Sequence, residues 1–115
     1  MNKFMIILRG QPSEWNKISP EEQSQILKKY MAWVEKLNAE GRFKGGSELR
    51  PTHRDVKSVN NQITVDGPFS ETKEVLTGYF IITAKSLEEA AEVSKGCPAL
   101  THGDWLQVYE MPNRD

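Results

Sequence analysis

Two stretches of this chain hold the side chains able to move a proton. Asp66, Glu71 and Lys73 fall within Asp66-Gly67-Pro68-Phe69-Ser70-Glu71-Thr72-Lys73-Glu74, and His102 lies in Thr101-His102-Gly103-Asp104. A carboxylate near an ammonium group suits general-base chemistry, and a histidine beside an aspartate can titrate near neutral pH or hold a ligand. Each group also has a plain structural role. Asp66 opens an Asp-Gly-Pro turn and can accept from amides two residues on. Glu71, Lys73 and Glu74 suit a solvated loop, where an ion pair contributes only ~0–1 kcal/mol. A lone loop histidine commonly has no task. His53 and His102 have no metal-ligand spacing, so neither a metal site nor a cofactor is expected. Cys97 follows a helix end, where the dipole disfavours a thiolate, and reads as a buried inert thiol.

The candidate ligand contacts are Phe69 and Glu71 in the loop, with Tyr79, Trp105 and Tyr109 on strands. Alternation in the last strand puts Trp105, Gln107 and Tyr109 on one face and Leu106 and Val108 on the other. Tyr79 joins the first set if the pleat agrees. Such a face can line a cavity against a partner or simply form an aromatic interface.

Several elements must position these groups. Phe4 to Leu8 is apolar at every position, as a central strand is. Arg9 to Lys17, with Gly10, Pro12 and an isolated Trp15, reads as a loop. Ser19-Pro20-Glu21-Glu22 supplies a cap, a proline at the first helical position and a capping-box glutamate. Ile26, Leu27, Tyr30, Trp33, Val34 and Leu37 then make one apolar stripe, predicting a helix over 20–39 with Tyr30 and Trp33 in the core. Residues 42–49 read as a strand interrupted by Gly45-Gly46, a bulge signal. Asn60-Asn61 joins strands over 55–59 and 62–65. A strand over 78–84, a helix from Ser86-Leu87-Glu88-Glu89 to about Lys95, and a strand over 105–111 complete the order.

Helices separated by several strands predict one α+β domain over 1–115. Its plan is a ferredoxin-like antiparallel sheet with both helices on one face. The other sheet face then needs cover, and a second copy of the chain is the simplest source. The bulk numbers agree with a single polar-surfaced globule: 115 residues, 37% hydrophobic and 27% charged. A net charge of −1 gives no pull toward nucleic acid or anionic membrane. No apolar run approaches the roughly 20 residues of a membrane span. The start shows no signal-peptide pattern, and one cysteine excludes an intrachain disulfide, so a reducing cytoplasm is the expected compartment.

Nearly the whole chain resembles the YCII-related family, in its DGPF-domain branch. Asp66-Gly67-Pro68-Phe69, Glu71-Thr72-Lys73-Glu74 and Gly78-Tyr79-Phe80 carry the likeness. Ser86-Leu87-Glu88-Glu89-Ala90, Lys95-Gly96-Cys97-Pro98 and Gly103 extend it, with Ser19-Pro20-Glu21-Glu22, Trp33, Leu37, Gly41 and Gly46 upstream. The resemblance implies a dimeric α+β barrel, two protomers facing through their sheets. It also implies, for one related branch, a buried His–Asp pair with the histidine on the first helix. This chain departs there, because residues 19–39 contain no histidine. The last strand departs too: Leu106-Gln107-Val108-Tyr109 stands where the branch often has Val-Glu-Val-Arg.

Three functions compete at this level. The first is binding or cofactor-free turnover of a small molecule in a cavity of the dimer, using Asp66, Glu71, Lys73 or His102. The second is a protein-interaction or regulatory module, which the resemblance links to transcription initiation. The third is a dimer whose motif is architectural.

Overall fold

The computed structural model describes residues 1–67 and 74–114. Phe69, Glu71 and Lys73 lie outside the described residues. Four strands form one antiparallel sheet: β1 (Asn2–Gly10), β2 (Phe43–Glu48), β5 (Val75–Ala84) and β6 (Trp105–Glu110), in the order β2-β5-β1-β6. Strands β3 (Asp55–Val59) and β4 (Gln62–Asp66) form a separate hairpin. Three helices complete the chain, α1 (Pro12–Asn16), α2 (Pro20–Ala39) and α3 (Leu87–Ser94), with a 3-10 turn at Pro98–Thr101. The α+β class and the ferredoxin-like order agree with the pattern of the sequence.

The two longer helices start where their caps predict. Ser19 Oγ accepts from the Glu22 amide, and Ser86 Oγ accepts from the Glu89 amide. Each bond satisfies one of the amides that a helix start leaves without an intrahelical acceptor. The apolar stripe of α2 buries Trp33 and Leu37 against Phe4, Ile6, Leu8 and Ile82. Ala90 of α3 and Cys97 close the same core. These sheet residues share one face, so the core lies wholly on the helix side.

Arg42 ties the entrance of β2 to α3. Its Nη1 donates to the Thr83 carbonyl at 3.0 Å and to Glu89 Oε1 at 2.9 Å. The β2–β5 register shifts between Phe43 and Gly45, the bulge that the paired glycines signal. Asn60 and Asn61 have φ of 53° and 65°, the left-handed pair of a tight hairpin turn.

The segment after β1 differs from the loop expected of it. β1 continues through Arg9 and Gly10, and α1 follows at once with Pro12 in its first turn. Five residues are too few for periodicity to reveal, and α1 is held from outside: Gln23 Nε2 donates to the carbonyls of Trp15 and Ile18 at 3.0 and 3.2 Å. The strand over 78–84 also begins earlier, at Val75. No helix among the described residues is long and apolar enough to cross a membrane.

Candidate functional site

A cleft of about 430 Å³ opens on the helix side of the sheet, beneath α1 and beside α2. Leu8, Val34, Phe43 and Phe80 give it an apolar floor, Trp15 and Leu27 border it, and His102 with Asp104 supplies polar groups. An apolar pocket with a few convergent polar groups is the usual form of a small-molecule site.

The polar end is built from four elements. Tyr30 of α2 stacks near Phe80, with ring centroids 6.2 Å apart, and its hydroxyl lies 3.1 Å from His102 Nε2. His102 follows the 3-10 turn, which is held by the His102 amide donating to the Ala99 carbonyl. The Trp15 ring meets the imidazole edge-on at 5.2 Å. Gly103, at φ +93°, then turns the chain into β6 in a conformation that disfavours any side chain. That turn places Asp104 Oδ1 3.8 Å from His102 Nδ1. Both side chains are only 8% exposed.

Asp104 has a further anchor. Its Oδ2 accepts from Thr77 Oγ1 at 2.9 Å. Thr77 stands at an irregularity, where Leu8 pairs with Gly78 but Arg9 pairs with Leu76, so Thr77 has no partner on β1. Gly10 leaves the room: a Cβ there would lie 1.9 Å from Asp104 Oδ1, inside contact distance. The helix α2, the bulge in β5 and the end of β1 therefore converge on one imidazole.

Burial pushes the Asp104 carboxyl above the usual aspartate range, against the pull of the Thr77 hydroxyl and His102. Burial likewise raises the Tyr30 phenol, and the nearby Cys97, Asp104 and Glu48 raise it further. The Tyr30 proton is therefore held on the phenol. When Tyr30 donates to Nε2, the imidazole proton sits on Nδ1 and faces Asp104. That is an arrangement for general acid–base work, with the histidine oriented from both sides.

Of the groups the sequence singles out for proton transfer, His102 is in this cleft. Asp66 ends β4, exposed, paired with Asp55 across the hairpin, and is not part of the cleft wall. Lys73, Glu71 and Phe69 are outside the described residues. Tyr79 belongs to the β5 wall, but its pleat position is opposite Ile7, on the open face. Trp105 and Tyr109 also lie on that face, opposite Arg9 and Met5. There the Trp105 indole donates to Glu74 Oε2 at 2.9 Å and the Arg9 guanidinium sits 5.9 Å from the ring. Arg9 Nε donates to Gln107 on the same face.

The aromatic and polar strand face thus lies across the sheet from the cleft. Tyr30, read as core from its helical spacing, is also the partner of the histidine. Trp15, isolated in a polar stretch, and Gly10 were the remaining signals. Neither names a partner, because both contacts are long-range. Among the described residues no group of three or more histidine, cysteine or acidic side chains is placed to hold a metal ion.

The profile of the YCII-related domain matches residues 2–111. The chain belongs to the YCII-related family. An uncharacterised protein of Rhizobium meliloti (strain 1021) is 33% identical over 86 residues, covering 72% of this chain and 67% of that protein. Within this YCII-related domain the first long helix brings Tyr30, and the imidazole arrives from the loop before the last strand.

Proposed function

We propose that this YCII-related protein binds a small molecule in the cleft beneath α1 and moves a proton on it without a cofactor. One observation carries the reading: the partly buried series Tyr30, His102, Asp104, Thr77 ends at an apolar cleft of about 430 Å³. His102 is the proton acceptor and donor, Tyr30 is the hydroxyl that relays to it, and Asp104 holds the Nδ1 tautomer. Thr77 fixes Asp104. The test is a metabolite screen by thermal shift, followed by deuterium uptake from solvent into any ligand found. The expected result is a stabilising ligand that exchanges a proton with the wild type and not with His102→Gln. Equal exchange in His102→Gln, or no ligand at all, removes the proposal.

The resemblance supports two further parts of this reading. The loop sequence supports membership of the DGPF branch. Two copies are proposed to face each other through the open side of the sheet, where Trp105 and Tyr109 are 43% and 50% exposed. Tyr109→Lys is then expected to halve the mass in solution.

A protein-interaction role has its own supporting observation. On the β3–β4 hairpin Val56, Ile63 and Val65 share one face and remain 63–70% exposed. A screen without ligands, together with partner binding abolished by Ile63→Lys, would favour it.

A further inference from the structure

The charge of the cleft wall is lopsided. Glu48 and Asp104 both line it, and among its described lining residues there is no lysine or arginine. Asp104 is 8% exposed and held by Thr77 and His102. Glu48 ends β2 opposite Gly78, at the rim, and makes no ion pair with another described residue. Both carboxylates also raise the Tyr30 phenol, which lines the same cleft. Among the described lining residues His102 alone can offset them, and only when protonated.

The remaining wall is largely apolar and carries several aromatic rings. Trp15, Tyr30, Phe43 and Phe80 line the cleft, and Trp33 supports Phe80 edge-on at 5.2 Å. Ring faces attract a positive charge, more strongly for a weakly hydrated organic cation than for a metal ion. A phosphate or carboxylate entering here would meet two carboxylates and ring faces, with no lysine or arginine among the described lining residues to receive it.

We infer that the cleft selects an organic cation, an amine or quaternary ammonium on an apolar body, with Glu48 at the rim as its charge-recognising residue. The inference rests on the cleft being a small-molecule site, as proposed above. The apolar body lies against Leu8, Val34 and Phe80, and the ammonium end lies between the rings and Glu48. Such a ligand keeps its charge near the rim, so Glu48 need not be buried without a partner.

The test compares three probes of one shape and different charge: 2-phenylethylamine, 2-phenylethanol and phenylacetate. Affinities come from calorimetric titration, and chemical shifts of the Trp15 indole report occupancy of this cleft. The expected order is amine, alcohol, acid, with the amine favoured over the alcohol by about tenfold. Glu48→Gln should erase most of that preference and leave the alcohol's affinity unchanged. Phenylacetate binding as tightly as the amine, or a preference that survives Glu48→Gln, overturns the cation assignment while leaving the cleft a ligand site. If no probe moves the Trp15 signal, the cation assignment fails. A blank from the wider metabolite screen as well would bring down the small-molecule reading itself.

Discussion

The Tyr30 hydroxyl lies 3.1 Å from His102 Nε2, although 72 positions separate the two residues. One sits on the long helix, the other in the loop before the last strand. Their contact locks the imidazole to the helix while Asp104 faces its other nitrogen at 3.8 Å. A histidine so held cannot rotate freely, which is what a positioned acid–base group requires.

Tyr30→Phe should keep the ring against Phe80 and lose the hydroxyl. Removing this bond is expected to cost about 1 kcal/mol in a urea titration. Proton exchange into a bound ligand should fall by at least about tenfold, because the relay to Nε2 is broken. Unaltered exchange with the expected stability loss would reduce the bond to a structural role.

Gly10→Ala puts a methyl group 1.9 Å from where Asp104 Oδ1 now lies. The carboxylate must leave its place or β1 must shift, at roughly 1–3 kcal/mol. A lower melting temperature is expected, together with loss of the Thr77–Asp104 contact in the spectrum of the Thr77 hydroxyl or its neighbours. Wild-type stability would show that the end of β1 yields easily.

Asp104 should cost stability at neutral pH. Its carboxyl titrates above the ordinary 3.8 because of burial, so the folded chain holds the proton more tightly than the unfolded chain does. The stabilisation from this group is present below the unfolded value and is lost as pH rises through the folded value. Asp104→Asn, which keeps an acceptor for Thr77, is therefore expected to melt no lower than wild type at pH 7 while losing proton exchange. Thr77→Val removes a bond that lowers the carboxyl, so carbon NMR of Asp104 should show it titrating at higher pH than in wild type. A downward move would refute the assigned cause.

Cys97 should be silent in the native protein. Burial pushes its thiol from 9.0 up to about 11, and the residue is 2% exposed. Reaction with a disulfide reagent at pH 8 is expected to proceed at the rate of unfolding and to become fast in denaturant. The same shift has a consequence for stability: the contribution is full below 9.0 and disappears as pH rises toward 11. Rapid labelling without denaturant would mean that the core around Cys97 opens locally.

The sequence alone determined the elements that follow local rules. Ser19 and Ser86 cap the helices they precede, Asn60-Asn61 makes the hairpin, and the Gly45-Gly46 pair marks the bulge in β2. The alternation of Leu106 and Val108 against Trp105, Gln107 and Tyr109 correctly divides the last strand between two faces. These features come from backbone propensity and pleat period, which act over a few residues. The ferredoxin-like order was legible for the same reason, since it follows from the succession of elements.

Tertiary structure decided the site. Tyr30 looks like any stripe residue, Thr77 like any strand threonine and Gly10 like a loop glycine until the sheet is assembled. The irregularity that leaves Thr77 without a β1 partner arises from pairing between distant strands, and the 3-10 turn that delivers His102 packs on a core built from both ends of the chain. Local spacing cannot encode which helix face meets which loop, because that is fixed by the packing of all the apolar faces together. So the chain announced its turns and helices, while the Tyr30–His102–Asp104 arrangement exists only once they are packed.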